Sequence, residues 1–257
     1  MPLDLSQRRA KLTTEVVAQI GDGHPYYAYH APRYVTLLRL LAEFLVPREQ
    51  RILDIGPTSF SDLLHRQFGL PVDSLGFAPD EPLSRGQHVK FDLNDAQWPE
   101  RWRNDLPQYD AVVMAEVIEH LHTSPALVLA FLRTVVRPGG VLIVQTPNAV
   151  RLGTRVKLLL GRHPFQLIAE DTEEPAHFRE YTLMELSRYA TSAGFDVVAA
   201  VHDSYFDLRY SAHDGVAHGS AALLSAKNKV YHALPQRLRM GITLVLRRPE
   251  AERPSTQ

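Results

Sequence analysis

Glu116, Glu119 and His120 stand in the run EVIEHL with spacing i, i+3, i+4, which on a helical turn sets all three side chains on one face. Two carboxylates and an imidazole sharing a face have two uses. The imidazole can take up a proton while a carboxylate orients it, or the three can offer oxygen and nitrogen ligands to a hard divalent cation. The first use makes His120 the candidate catalytic base, with Glu119 or Glu116 as its orienting partner. The run follows an apolar stretch, DAVVMA at 110–115, that reads as a strand, so this chemistry sits at a strand's carboxyl end.

A second stretch, RILDIGPTSFS at 51–61, reads as a short buried strand, a tight turn and the start of a helix. Open α/β sheets bind ligands at such turns, and the N–H groups opening the helix face the turn, ready for an anion. Asp54, just before the turn, is placed to accept a hydrogen bond from a cationic amine. A ligand carrying both an ammonium and a carboxylate suits this pair.

The elements that must hold these residues follow from periodicity. Strands are expected at 51–55, 72–77, 88–91, 110–115, 141–146, 195–201 and 241–247. Helices are expected at 3–20, 33–45, 124–136, 150–161, 182–193 and 220–233, with Thr182 and Glu185 forming a capping box. Tyr26–His30 is expected to lead into the 33–45 helix as a separate aromatic flap. Strands alternating with helices imply βαβ units and a parallel sheet. With 28 Lys+Arg against 29 Asp+Glu, there is no basic field to collect nucleic acid. The absence of cysteine removes disulfides, thiolate metal sites and cysteine nucleophiles. The opening segment is charged and lacks the apolar core of a signal peptide, and no uncharged apolar run approaches the ~18 residues of a membrane span. The expectation is a soluble, cytoplasmic, single-domain protein whose last ten residues, 248–257, are disordered.

L-D-I-G at 53–56, P-G-G at 138–140, T-P-N at 146–148 and the Gly194-Phe195 step resemble, in that order, the class I S-adenosylmethionine-dependent methyltransferases. The resemblance implies a Rossmann-like α/β fold: a mostly parallel sheet of about seven strands, helices on both faces, and a last strand inserted antiparallel next to the fifth. It implies S-adenosylmethionine as cofactor, with Asp54, Gly56, Pro57 and Thr58 at its amino-acid end, Phe77 at the ribose, Asp92 and Leu93 at the adenine, and Ala115 and Glu116 alongside. Two departures stand out. Only Gly56 remains of the family's glycine-rich turn, and Ala78 replaces the ribose-binding acid, with Asp80 as a substitute.

The E-x-x-E-H run together with H-F-R-E-Y-T at 177–182 is similar to the metal-dependent small-RNA 2′-O-methyltransferases. This implies Glu116, Glu119, His120 and His177 as ligands of a Mg2+ ion. The expected layout is an N-terminal helix and flap at 1–32 and a methyltransferase domain at 33–247, with acceptor-side insertions at about 150–182 and 203–235. The expected activity is O-methylation of a sugar, glycan or small-metabolite hydroxyl. The alternatives are 2′-O-methylation of an RNA end and a degenerate, non-catalytic cofactor-binding scaffold. The basic, leucine-rich segment with Arg151, Arg155, Lys157, Arg162 and His163 contains no acid. It faces either solvent or phosphate, and allows peripheral membrane contact.

Overall fold

Helix formation begins ahead of the sheet in the computed structural model, which describes residues 12–20, 25–45, 51–56, 59–168, 176–210 and 220–250. Helices α1 (Thr14–Ile20) and α2 (Pro25–Phe44) come first. Then follow β1 (Ile52–Ile55), α3 (Ser59–Phe68), β2 (Val72–Gly76), β3 (Glu81–Leu83), β4 (Gly86–Lys90), β5 (Tyr109–Ala115), α4 (Pro125–Val135) and β6 (Val136–Pro147). The chain continues through α5 (Leu152–Leu159), α6 (Leu183–Ser192), β7 (Asp196–Asp203), α7 (Ala221–Ala233) and β8 (Gly241–Arg247).

The described strands form one sheet in the order β3-β4-β2-β1-β5-β6-β8-β7. Strands β4, β2, β1, β5 and β6 are parallel. Strand β8 inserts antiparallel between β6 and β7, as the resemblance implied. Alternation along the central strands divides the core in two. Leu53, Val112, Met114 and Leu142 pack with α4 and α6 on one face. Ile52, Val113 and Ile143 pack with α2 and α3 on the other. All carboxyl ends of the parallel strands therefore meet at one edge, where the chemistry-bearing runs were expected.

Three local differences from the sequence reading have physical causes. Helix α2 starts at Pro25, not Arg33, so Tyr26–His30 form its first turns rather than a flap. Pro25 suits a helix start, whereas the interior Pro32, which costs a backbone donor, resembles a boundary when read alone. Strand β3 was not expected; it pairs antiparallel with β4 in a short, largely exposed hairpin that lacks an apolar pattern. EVIEHL is not an α-helical turn: only Ile118–His120 are helical, as a single 3-10 turn. The expected capping box of Thr182 and Glu185 is present at α6. No described helix is long and apolar enough to cross a membrane.

Candidate active site

Strand β5 ends in a kink. Glu116 has φ of +56°, the only positive φ among described non-glycine residues, a conformation costing roughly 1–2 kcal/mol. Strain of this kind collects where function over-determines the backbone. The kink and the 3-10 turn after it bring Glu119 inward until it is fully buried. Glu119 Oε2 accepts a hydrogen bond from Thr146 Oγ1 at 2.8 Å. Its Oε1 has no hydrogen-bond partner among the described residues. Burial, and then the nearby Glu116 carboxylate, push the Glu119 pKa well up.

The Glu119 carbonyl draws in a distant piece of chain. It accepts from the N–H groups of Phe178 (2.8 Å) and Arg179 (3.2 Å). That clasp sets the His177 ring edge-on to His120, centroids 4.8 Å apart. One ligand atom from each of Glu119, His120 and His177 lies within 4.8 Å of the others. Glu116 stands outside this group, so three of the four expected ligands are brought together. His177 Nδ1 lies 3.3 Å from Glu180 Oε1. Glu180 is gripped in turn by two N–H donors of Arg151. Burial would raise the Glu180 pKa, but His177 and Arg151 overcome it and hold the carboxylate below its ordinary range. An Arg–Glu–His chain of this kind fixes the imidazole's orientation and tautomer.

At the cofactor side, Gly56 has φ of +77°, and a Cβ there would meet Val117 Cγ2 at 3.2 Å. The turn after β1 thus lies directly against the kink after β5. Asp54 is buried and accepts from Ser61 Oγ at 2.6 Å; burial pushes its pKa up to about 7. Asp92 caps the following 3-10 turn by accepting from the Asn94 N–H, and Leu93 lies in the core. Phe77 is 70% exposed beyond the end of β2, and Ala115 closes β5. Asp80 is taken up by the Lys90 N–H and by Arg103. Pro57 and Thr58 lie outside the described residues.

The sequence reading passed over Arg33, which it took only as a helix start. Arg33 is 5% exposed. Its Nη2 donates to the hydroxyls of Tyr26 and Tyr34. Its Nε and Nη1 have no hydrogen-bond partner among the described residues. Burial raises the pKa values of Glu116 and Asp54, and the Arg33 charge opposes that rise at both. The available signal was a cation in a helix segment, 31–38, whose other residues are Ala31, Pro32, Tyr34, Val35, Thr36, Leu37 and Leu38. A buried guanidinium with open donors seats a carboxylate, and the Glu116 Oε1, also without a described partner, can accept from an ammonium. These open groups could hold the carboxylate and ammonium at the amino-acid end of S-adenosylmethionine. A hollow of about 790 Å3 along the β3–β4 edge is lined by Arg51, Asp73, Asp80, Gly86 and Arg103 and by none of Arg33, Glu116, Glu119, His120 and His177.

Fold and site together define a class I S-adenosylmethionine-dependent methyltransferase architecture. Residues 27–200 match the methyltransferase domain, and the chain belongs to that family. It is 32% identical over 149 residues to a probable S-adenosylmethionine-dependent methyltransferase of Mycolicibacterium smegmatis, covering 55% of this chain and 48% of that protein. It is 28% identical over 163 residues to a ubiquinone biosynthesis O-methyltransferase of Aeromonas salmonicida, covering 60% of this chain and 66% of that one. The chain thus spans about half to two thirds of the length of these curated relatives. Among solved structures, a methyltransferase of Archaeoglobus fulgidus superposes with TM-score 0.51 at 16% identity, covering 82% of this chain and 91% of that one. The [4+2]-cyclase SpnF superposes with TM-score 0.53 at 16% identity, covering 97% and 98%. At such identities the likeness is one of fold.

Proposed function

We propose that the chain transfers the methyl group of S-adenosylmethionine to a hydroxyl, on a sugar, glycan or small metabolite that offers a second oxygen beside the one methylated. The observation carrying this reading is the gathering of Glu119, His120 and His177 beside the cofactor turn. Two relatives' features support it: the family match, and the O-methyltransferase name borne by a protein 28% identical to this chain. When bound, S-adenosylmethionine supplies an electrophilic methyl on a sulfonium that leaves readily.

The chain's task is then alignment and proton removal. Arg33 and Glu116 hold the amino-acid end, and Gly56 lets it approach the backbone. His120 would take the proton of the acceptor hydroxyl as that oxygen becomes the nucleophile. His177, oriented by Glu180, faces the same acceptor. If a divalent cation is used, Glu119, His120 and His177 would hold it, and it would acidify a diol hydroxyl. Two imidazoles beside one carboxylate suit Mn2+ or Zn2+ better than Mg2+, which prefers oxygen ligands.

Calorimetric titration with S-adenosylmethionine and a methyl-transfer assay on a panel of diols and phenols test the reading. Arg33→Met is expected to weaken cofactor binding by about 10–100-fold, the value of a hydrogen bond to a charged group. His120→Ala is expected to keep cofactor affinity within a few-fold and lose about 10²–10⁴ in turnover. A parent that binds no S-adenosylmethionine would be a scaffold. One that methylates only RNA ends, with salt-dependent affinity, would be an RNA enzyme.

A further inference from the structure

Two stretches at the carboxyl edge of the sheet share an uncommon composition. Residues 150–168 contain Arg151, Arg155, Lys157 and Arg162 and no acid; residues 220–239 contain Lys227, Lys229, Arg237 and Arg239 and no acid. Eight cations and no acid thus lie in these two stretches, in a chain whose net charge is −1; Arg151 pairs with Glu180 and Arg239 lies 3.9 Å from Asp203. Both stretches are also apolar on the outside. Helix α5 and the loop after it expose Leu158 (60%), Leu159 (86%), Leu160 (67%), Leu167 (90%) and Ile168 (65%). Helix α7 exposes Leu223 and Val230. Contiguous exposed apolar groups of this size mark an interaction surface.

The leucines are held outward by defined contacts. The buried Thr154 anchors α5 by donating to the carbonyls of Ala149 and Arg151. Lys157 Nζ donates to the Pro164 carbonyl and closes the loop, while the Gly161 and Arg162 N–H groups return to Leu158 and Lys157. The two stretches are tied at their roots. The Asn148 side chain, buried just before α5, donates to the carbonyls of Arg237 and Arg239. The neighbouring Thr146 is the residue that bonds Glu119. Both stretches therefore rise from the strand edge that carries the candidate active site.

We infer that this surface docks on the face of a lipid bilayer containing anionic headgroups. The charge pattern selects that occupant. Arg151 is committed to Glu180, but Arg155, Lys157 and Arg162 pair with no carboxylate among the described residues. Leucines and an isoleucine at the tip, with long cationic side chains beside them, match the acyl and headgroup layers in order. A second copy of the chain fits poorly. An isologous contact would set this cationic patch against itself. Docking would bring the candidate site to the membrane surface, where an amphiphilic acceptor could present its hydroxyl. The acidic run Glu170, Asp171, Glu173 and Glu174 follows directly and lies outside the described residues; the salt and composition dependence below measures whether it cancels the cations.

The test is co-sedimentation of the full chain with vesicles of phosphatidylcholine alone and of phosphatidylcholine mixed with phosphatidylglycerol, at low and high salt. No turnover is read, so the result stands apart from the methyl-transfer reading. The expected result is binding to the anionic vesicles, weakened by salt and nearly absent on phosphatidylcholine. Leu159→Asp with Leu167→Asp is expected to reduce partitioning at least about tenfold, and Arg162→Glu by about fivefold or more. Leu159, Leu167 and Arg162 are surface residues, and an unchanged melting curve will show that the variants fold. A parent that stays in the supernatant with both vesicle types at low salt overturns the inference. So does equal binding to both vesicle types that Arg162→Glu leaves unchanged. A concentration-dependent dimer in light scattering, abolished by Leu159→Asp, would assign the patch to a second copy instead.

Discussion

Asp54 and Glu116 show how strongly burial acts on single side chains here. The folded-state pKa of Asp54 is raised by burial from 3.8 to about 7. A carboxyl whose folded pKa is the higher one stabilises the fold fully below its unfolded pKa and loses that contribution as pH rises through the folded value. The parent is therefore expected to lose stability relative to Asp54→Asn between pH 3.8 and about 7, in denaturant unfolding measured across that window. A difference between the two proteins that does not change with pH would remove burial of a protonated Asp54 as the cause. Glu116 combines a left-handed backbone with a buried oxygen that has no described partner and with repulsion of Glu119. Glu116→Asn keeps a residue that tolerates φ > 0 and removes the charge. It is expected to raise stability by about 1 kcal/mol, or ~2–4 °C in melting temperature, while weakening cofactor binding. A lower melting temperature would mean that the carboxylate is structurally needed.

At the scale of elements, α2 determines what the N-terminal region is for. Read as a flap, Tyr26–His30 could be removed with little effect on the cofactor side. In the fold, Tyr27 and Ala28 are core residues, Tyr34 stacks on Phe60 at the start of α3, and the Tyr29 carbonyl accepts from the Asp207 N–H. Deleting residues 1–30 is therefore expected to lower both melting temperature and cofactor affinity, because Arg33 would lose the first turns of its helix and its Tyr26 hydroxyl partner. Selective loss of acceptor use would restore the flap. The central strands were legible because each is a short apolar run between turn signals, and the acid–imidazole run was legible because its residue types are rare together. Arg33 was less so: its only signal is an apolar neighbourhood on α2, and Arg39 stands on the same helix. The clasp of Glu119 on Phe178 and Arg179 was not legible: it spans a long stretch of chain and uses backbone groups that carry no residue signature. Spacing in an assumed helix placed Glu116 with Glu119 and His120; in the fold a left-handed residue ends the strand there, and the ligand atoms gathered within 4.8 Å are those of Glu119, His120 and His177.

At the scale of the whole molecule, the two basic, leucine-bearing stretches and the site share one edge of one sheet, so orientation on a surface and access to the chemistry are set by the same strands. That sheet is also completed out of order. Strand β8 lies between β6 and β7, and β7 pairs with no strand other than β8 among those described. During synthesis, everything up to residue 240 leaves the ribosome before β8 does. Until then the nascent chain carries an open β6 edge and an unpaired β7, both ready templates for a neighbouring chain. A message truncated before Gly241 should therefore yield aggregates or degraded product in the cell, because β6 and β7 stay open until β8 is made.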